Sequence, residues 1–229
     1  MRITGMASGM DVESMISNLM KAERIPVDKL LQKKQTLQWK IESYNNVNLK
    51  LSALRESVST ARLSGGWNKL DSGGNTVRIS EDEMVAKVKD IVSKYNDMVG
   101  TLNGKVTETV NRDFTPLTSD QKSAMSETDI TNWESKAKSG LLRNDDILRR
   151  TLTNLRGLAS TSVDGVDPNF NTLDKLGITT TKFLNGSPDN GKLVINETKL
   201  RNAIQTNPDA VIANFTSQSS TSSEKGVFQ

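Results

Sequence analysis

A mainly α-helical fold with a small β part (α+β) follows from three observations. Apolar residues recur by sevens over two long stretches: Leu30, Leu37, Tyr44, Leu51 and Val58 on one line, Met84, Ile91 and Met98 on another. That period marks coiled-coil helices. Segments that look like paired strands occur near 176–181 and 192–195, on either side of a turn-rich segment. Finally, 34% of the residues are hydrophobic, 4% are aromatic and 73 of 229 are Ser, Thr, Asn or Gln. Such a chain suits thin, elongated helical domains better than one large globular core.

Residues 2–10 are small, glycine-rich and irregular. Asp11 is a good N-cap for a short amphipathic helix carrying Val12, Met15, Ile16, Leu19 and Met20. Pro26 disfavours helix at Ile25, so this helix is expected to stop near Arg24. Pro26 then suits the first turn of a second helix, which meets no further Gly or Pro until after Leu63. Val47, Leu54 and Ala61 form a second apolar line three residues on from the first. At 1.5 Å per residue this helix spans roughly 55 Å, and its narrow stripe must be buried by another helix, from this chain or a second one.

Two Gly-Gly pairs, at 65–66 and 73–74, break the pattern, and 76–80 alternates as a short strand would. Ser80, followed by Glu81, Asp82 and Glu83, caps the second long helix, with acids where the macrodipole favours them. Val88, Tyr95 and Leu102 form the mate of its Met84 line, and the helix is expected to reach Val110. Pro116 ends it. A short helix from Thr118 or Ser119, another over 127–139 stopped by Gly140, and one capped by Asn144 with Ile147, Leu148, Leu152, Leu155 and Leu158 follow. The strand at 176–181, the turn at 185–191 and the strand at 192–195 form a hairpin. Asn196 caps a helix with Leu200, Ala203 and Ile204, and Pro208 opens a last one with Val211, Ile212 and Phe215. The polar tract from 216 reads as disordered. The expected divisions are 1–66 (arm and coiled-coil helix), 67–80 (joint), 81–215 (helical domain with hairpin) and 216–229 (tail).

With no cysteine and no histidine, disulfides, Cys/His zinc sites, and Ser-His-Asp or Cys-His catalysis are excluded. Asp145 and Asp146 could form an acid/base pair, but a helix first turn explains them better. No stretch fits a calcium-binding loop. The reading is a protein that is not an enzyme, with no cofactor and no metal.

Residues 1–63 hold ten Lys and Arg against six Asp and Glu. These form no run and do not alternate with aromatics, so nucleic acid is not an expected partner. No apolar run approaches the length of a membrane span, and Asp11 and Glu13 interrupt any secretory h-region. A soluble chain with no membrane insertion is expected.

The segment from Ile3 through Gly5, Ala7, Ser8, Gly9 and Asp11 to Ile16, followed by Leu19 to Leu30, resembles the N-terminal signature of the bacterial flagellar filament-cap family, also called hook-associated protein 2. Ile91-Val92-Ser93-Lys94-Tyr95-Asn96, Ser139 to Asp145, Leu176-Gly177-Ile178-Thr179 with Gly191-Lys192-Leu193, and Asn207 to Val211 are similar to further motifs of that family, in the same order. The resemblance implies a flagellin-like fold of terminal coiled-coil helices and a helical domain with a β-hairpin. It implies export through the flagellar type III apparatus without a cleaved signal, and a place outside the cell at the filament tip. The partners it implies are flagellin, other copies of the chain in a ring-like homo-oligomer, hook-filament junction proteins and a flagellar export chaperone. Two departures imply shortening in the middle and at the C-terminus: only 64–80 stands where the family carries large β-rich domains, and no long closing helix follows the polar tract.

The line Leu30, Leu37, Tyr44, Leu51 and Val58 is either an intramolecular core or a seam toward another subunit or flagellin. Trp39 lies two residues past Leu37, off that seam, and is expected to be exposed and available for contact. With this arm unpaired, 1–66 is expected to be mobile in the isolated chain. The alternative function is a surface adhesin for host glycan or mucin, which needs an aromatic platform; Trp39, Trp67 and Trp133 are far apart in sequence. A cell-wall glycan hydrolase would need two carboxylates facing a cleft.

Overall fold

The computed structural model describes residues 12–158, 160–182, 184 and 187–216. The motif residues Ile3, Gly5, Ala7, Ser8, Gly9 and Asp11, and the tail from 217, lie outside them. The elements are α1 (Val12–Arg62), β1 (Asn68–Leu70), β2 (Thr76–Arg78), α2 (Glu81–Thr107), α3 (Ser119–Ser123), α4 (Glu127–Lys138), α5 (Asp146–Leu158), β3 (Ile178–Thr180), β4 (Leu193–Ile195), α6 (Glu197–Thr206) and α7 (Pro208–Thr216). The expected class, mainly α with a small β part, is what the structure shows.

The stop near Arg24 does not occur. One helix runs through Pro26. The proline removes one backbone donor and crowds the preceding turn, a local cost of about 3 kcal/mol. The bonds of the residues around it carry the helix on.

The chain divides into two compact units: residues up to Glu42 with Thr109–Leu141, and Ser43–Glu108 with the residues from Leu142 on. This boundary differs from the expected arm at 1–66, because the second half of α1 is part of a core. Val47, Leu54, Val58 and Ala61 are buried together with α2.

In that second unit, α2 is the central element. Ser80 and Glu83 form a reciprocal capping box, the serine Oγ accepting from Glu83 N at 3.3 Å and the Glu83 carboxylate from Ser80 N at 2.7 Å. Met84, Ile91, Met98, Val88, Tyr95 and Leu102, the two lines read by sevens, are all buried. α5, α6 and β4 pack around it. Asn96 joins helix to sheet: its side chain donates to Leu193 O and accepts from Leu193 N, as a neighbouring strand would. β3 and β4 pair antiparallel, Thr179 opposite Val194. Gly177, at φ +84°, starts this hairpin with Asn196 N donating to its carbonyl; a Cβ there would stand 2.6 Å from Lys199 Cβ.

Between α1 and α2 the expected break is a second hairpin. β1 and β2 pair antiparallel, Lys69 opposite Val77. The Asp71 carboxylate accepts from the backbone N–H groups of Gly73 and Asn75, each at 2.8 Å, while Gly74 takes φ +79°. Trp67 anchors its base, donating from Nε1 to Ala61 O and standing 5.9 Å from the Phe215 ring on α7.

In the first unit, residues 109–141 fold against the first half of α1. A capping box of Thr118 and Gln121 starts α3, and Ser126 caps α4. Gln32 donates to Pro116 O at 2.7 Å. Trp133 donates to Thr115 O and lies 4.6 Å from the Phe114 ring.

Candidate interaction surface

The five residues of the expected seam meet different surroundings. Val58 is buried in the second unit's core and Tyr44 is half-buried, but Leu51 is exposed. The line that faces the core there is the other one, Val47, Leu54 and Ala61. Leu30 and Leu37, in the first unit, are 66% and 60% exposed.

Trp39 is not exposed. It is 4% accessible, with the Lys138 ammonium 5.1 Å from its ring centre. The reason is helical geometry: nine residues separate Leu30 from Trp39, two and a half turns, so the two point in opposite directions. Residues 109–141 cover the Trp39 side, where Gln32, Gln35 and Thr36 are also partly buried.

The uncovered side carries a longer stripe than the sevens alone indicated. Val12, Ile16, Leu19, Val27, Leu30, Leu37 and Ile41 follow one another at helical spacing, and each is between 48% and 66% exposed. Glu23 and Lys34 occupy the two gaps in it. The signal was present in the sequence as an i, i+3, i+4 pattern interrupted only at Glu23 and Lys34, but the expected stop at Arg24 divided it. An exposed apolar row of this length, broken only at Glu23 and Lys34, is a candidate interaction site, and its shape suits a second amphipathic helix.

Asp145 is a structural group. Its Oδ1 accepts from the N–H groups of Ile147 and Leu148, so it caps α5 in place of the expected Asn144, which turns into the left-handed region at φ 58°. Its Oδ2 accepts from the Tyr44 hydroxyl at 2.5 Å. That bond to a carboxylate, with desolvation next, raises the Tyr44 pKa. Both carboxylate oxygens thus serve packing, which leaves the acid/base reading of Asp145 and Asp146 without support.

A charge network ties α2 to its neighbours. Arg201 on α6 donates to Glu81, Asp82 and Glu197, and Lys89 pairs with Glu197; separately, Arg78 on β2 pairs with Asp209 on α7. Among the described residues no group of three acidic side chains could hold a metal ion, and no helix is long and apolar enough to cross a membrane. Trp39 and Trp67 are buried, and Trp133 commits its N–H to the backbone.

Comparison with known proteins matches residues 33–229 to a family model described as flagellar hook-associated protein 2 C-terminus. A flagellar hook-associated protein 2 of Halalkalibacterium halodurans is 34% identical over 160 residues, 69% of this chain and 28% of that protein. One of Thermotoga maritima is 31% identical over 137 residues, 59% of this chain and 20% of that protein. The match thus spans less than a third of the length of these curated relatives. No solved structure matches.

Proposed function

The chain belongs to the flagellar hook-associated protein 2 family, and from that premise we propose that it is a structural assembly factor of the bacterial flagellum. It acts at the distal end of the filament, outside the cell, where it caps the tip and promotes the folding and insertion of flagellin. It reaches that place through the flagellar type III apparatus, handed over by an export chaperone. Besides flagellin, its partners are further copies of itself and the hook-filament junction proteins. It does its work by contact, without an active site.

The observation that carries this reading is the uncovered stripe on the first half of α1. A helix that buries Trp39 on one side while leaving a row from Val12 to Ile41 on the other is built to receive a second helix. Leu30 and Leu37 lie in the middle of that row. Leu51 and Tyr44 belong to the second unit and are further contact candidates of that unit by itself, while Val58 and Trp39 pack α1, each within its own unit.

The test is end-labelling of sheared, cap-free filaments with gold-tagged chain, viewed by electron microscopy. Label at one end of each filament is expected, with loss of label for Leu30→Asp combined with Leu37→Asp. Label along the filament sides, or none at either end, contradicts the proposal.

A further inference from the structure

Asparagine followed by glycine is the least hindered setting for one covalent change. The glycine nitrogen attacks the asparagine Cγ, a five-membered imide closes between them, and the amide nitrogen leaves as ammonia. Water then opens the ring at either carbonyl and gives aspartate or isoaspartate. The chain carries this pair three times, at 103–104, 185–186 and 190–191. Asn185 and Gly186 lie outside the described residues. The other two pairs meet in the second unit, where Asn103 donates to the carbonyl of Asn190.

Both asparagines are buried, Asn103 inside α2 and Asn190 in the turn before β4. Asn103 Nδ2 donates to Pro188 O at 3.0 Å and to Asn190 O at 2.8 Å, while its Oδ1 accepts from Arg156 at 3.0 Å. Asn190 holds the backbone of Leu184 from both sides, accepting from its N at 2.8 Å and donating to its O at 2.6 Å. Arg156 lies against Gly191: a Cβ there would stand 2.7 Å from Arg156 Nε, on a backbone at φ +81°. The latch therefore needs an amide at 190 and a glycine at 191, which is the reactive pair. Gly104 is different. No atom lies within 4 Å of a Cβ built on it, so no close approach requires a glycine there.

We propose that Asn103 and Asn190 are covalent modification sites that folding closes: a chain that stays unfolded loses ammonia at both, and the product can no longer complete the second unit. In the fold the attack is blocked. The N–H groups of α2 are tied into its ladder, and hydrogen bonds hold both side chains away from the rotation that ring closure needs. In an unfolded chain neither restraint exists. The products are also incompatible with the site. Aspartate at 103 replaces the donor to Pro188 O and Asn190 O by a carboxylate oxygen, which outweighs its closer pairing with Arg156. Isoaspartate at 103 adds a backbone atom inside α2 and breaks the ladder. At 190 either product leaves Leu184 O facing an acceptor. The two pairs thus record time spent unfolded, whatever the chain does once it is folded.

Peptide mapping by mass spectrometry tests this on the full chain, incubated in mildly alkaline buffer either folded or in guanidinium chloride. Conversion at 103 and 190 is expected to be about ten-fold or more slower in the folded sample, because only the open fraction reacts. Gly104→Ala, which meets no neighbour, should suppress conversion at 103 in guanidinium chloride and leave 190 unchanged. Arg156→Ala, with an unchanged circular dichroism spectrum, should speed conversion at 190 in the folded chain while 103, held inside α2, stays slow. On dilution from guanidinium chloride, the material that refolds should be depleted of chains modified at 103 or 190. Equal rates at these sites in the folded and unfolded samples, or no acceleration at 190 in Arg156→Ala, would overturn the protection. Equal modified fractions in the refolded and unfolded material would overturn the consequence drawn for folding.

Discussion

Tyr95 shows how much of the second unit depends on single side chains. Its ring is buried in the middle of α2, and its hydroxyl lies 3.0 Å from Leu155 O and 3.1 Å from Gly191 O. Burial pushes its pKa up to about 12. Tyr95→Phe removes the one O–H donor that these two carbonyls share, so it should cost about 1–2 kcal/mol in urea denaturation. Glu83 makes a pH prediction. The Lys69 ammonium, and then the Ser80 backbone N–H, lower its pKa from 4.5 to about 2. The folded value lies below the unfolded one, so its contribution is complete above about pH 4.5 and fades as pH falls toward 2. Thermal melts of wild type and Glu83→Gln should therefore converge between those values and differ most above them.

Among the elements, α1 and α2 differ in how far local patterns determine them. α2 was legible in its capping Ser80, its acidic first turn and two apolar lines by sevens, every member of them buried, though it ends at Thr107 short of the expected Val110. Its central role follows from having apolar residues on a wide arc. α1 was legible as a helix but not in its bounds or its faces. Pro26 obeys a local rule that disfavours helix before it, and the flanking turns override that rule. Two apolar lines also fit a coiled coil equally well; only the packing of α2 decides that Val47, Leu54 and Ala61 turn inward while Leu51 stays out. Trp39 was misread for the same reason, since its cover comes from residues 109–141, far away in sequence. Two measurements follow. Pro26→Ala should stabilise helix in the first half of α1 by up to about 3 kcal/mol, seen as slower amide exchange on both sides of residue 26. Leu30→Asp should change stability by less than about 0.5 kcal/mol, whereas Leu54→Ala should cost about 2–5 kcal/mol, both read from chemical denaturation.

For the whole chain, the two units carry different kinds of evidence. The second has a continuous core from α1 to α7, with the family motifs around Tyr95, Leu176 and Val211 buried inside it. Those motifs were legible because they combine turn residues with core residues at fixed spacing. The first has only a thin cover on one side of α1, and its opposite side is where the functional proposal rests. Among the described residues, the expectation that 1–66 is mobile in the isolated chain therefore narrows to 12–42, since Val47, Leu54, Val58 and Ala61 lie in the core. The absence of cysteine and histidine fits a contact protein, yet it gave no location for the contact; the face of α1 left uncovered gives one.

Amide hydrogen exchange on the dilute chain, alone and with cap-free filament ends, tests the central claim most directly. The account predicts slow exchange from Val47 to Ala61 in both samples, and fast exchange from Val12 to Ile41 that slows several-fold when filament ends are added. Strong protection of Val12 to Ile41 in the dilute chain by itself, unchanged by filament ends, would contradict it.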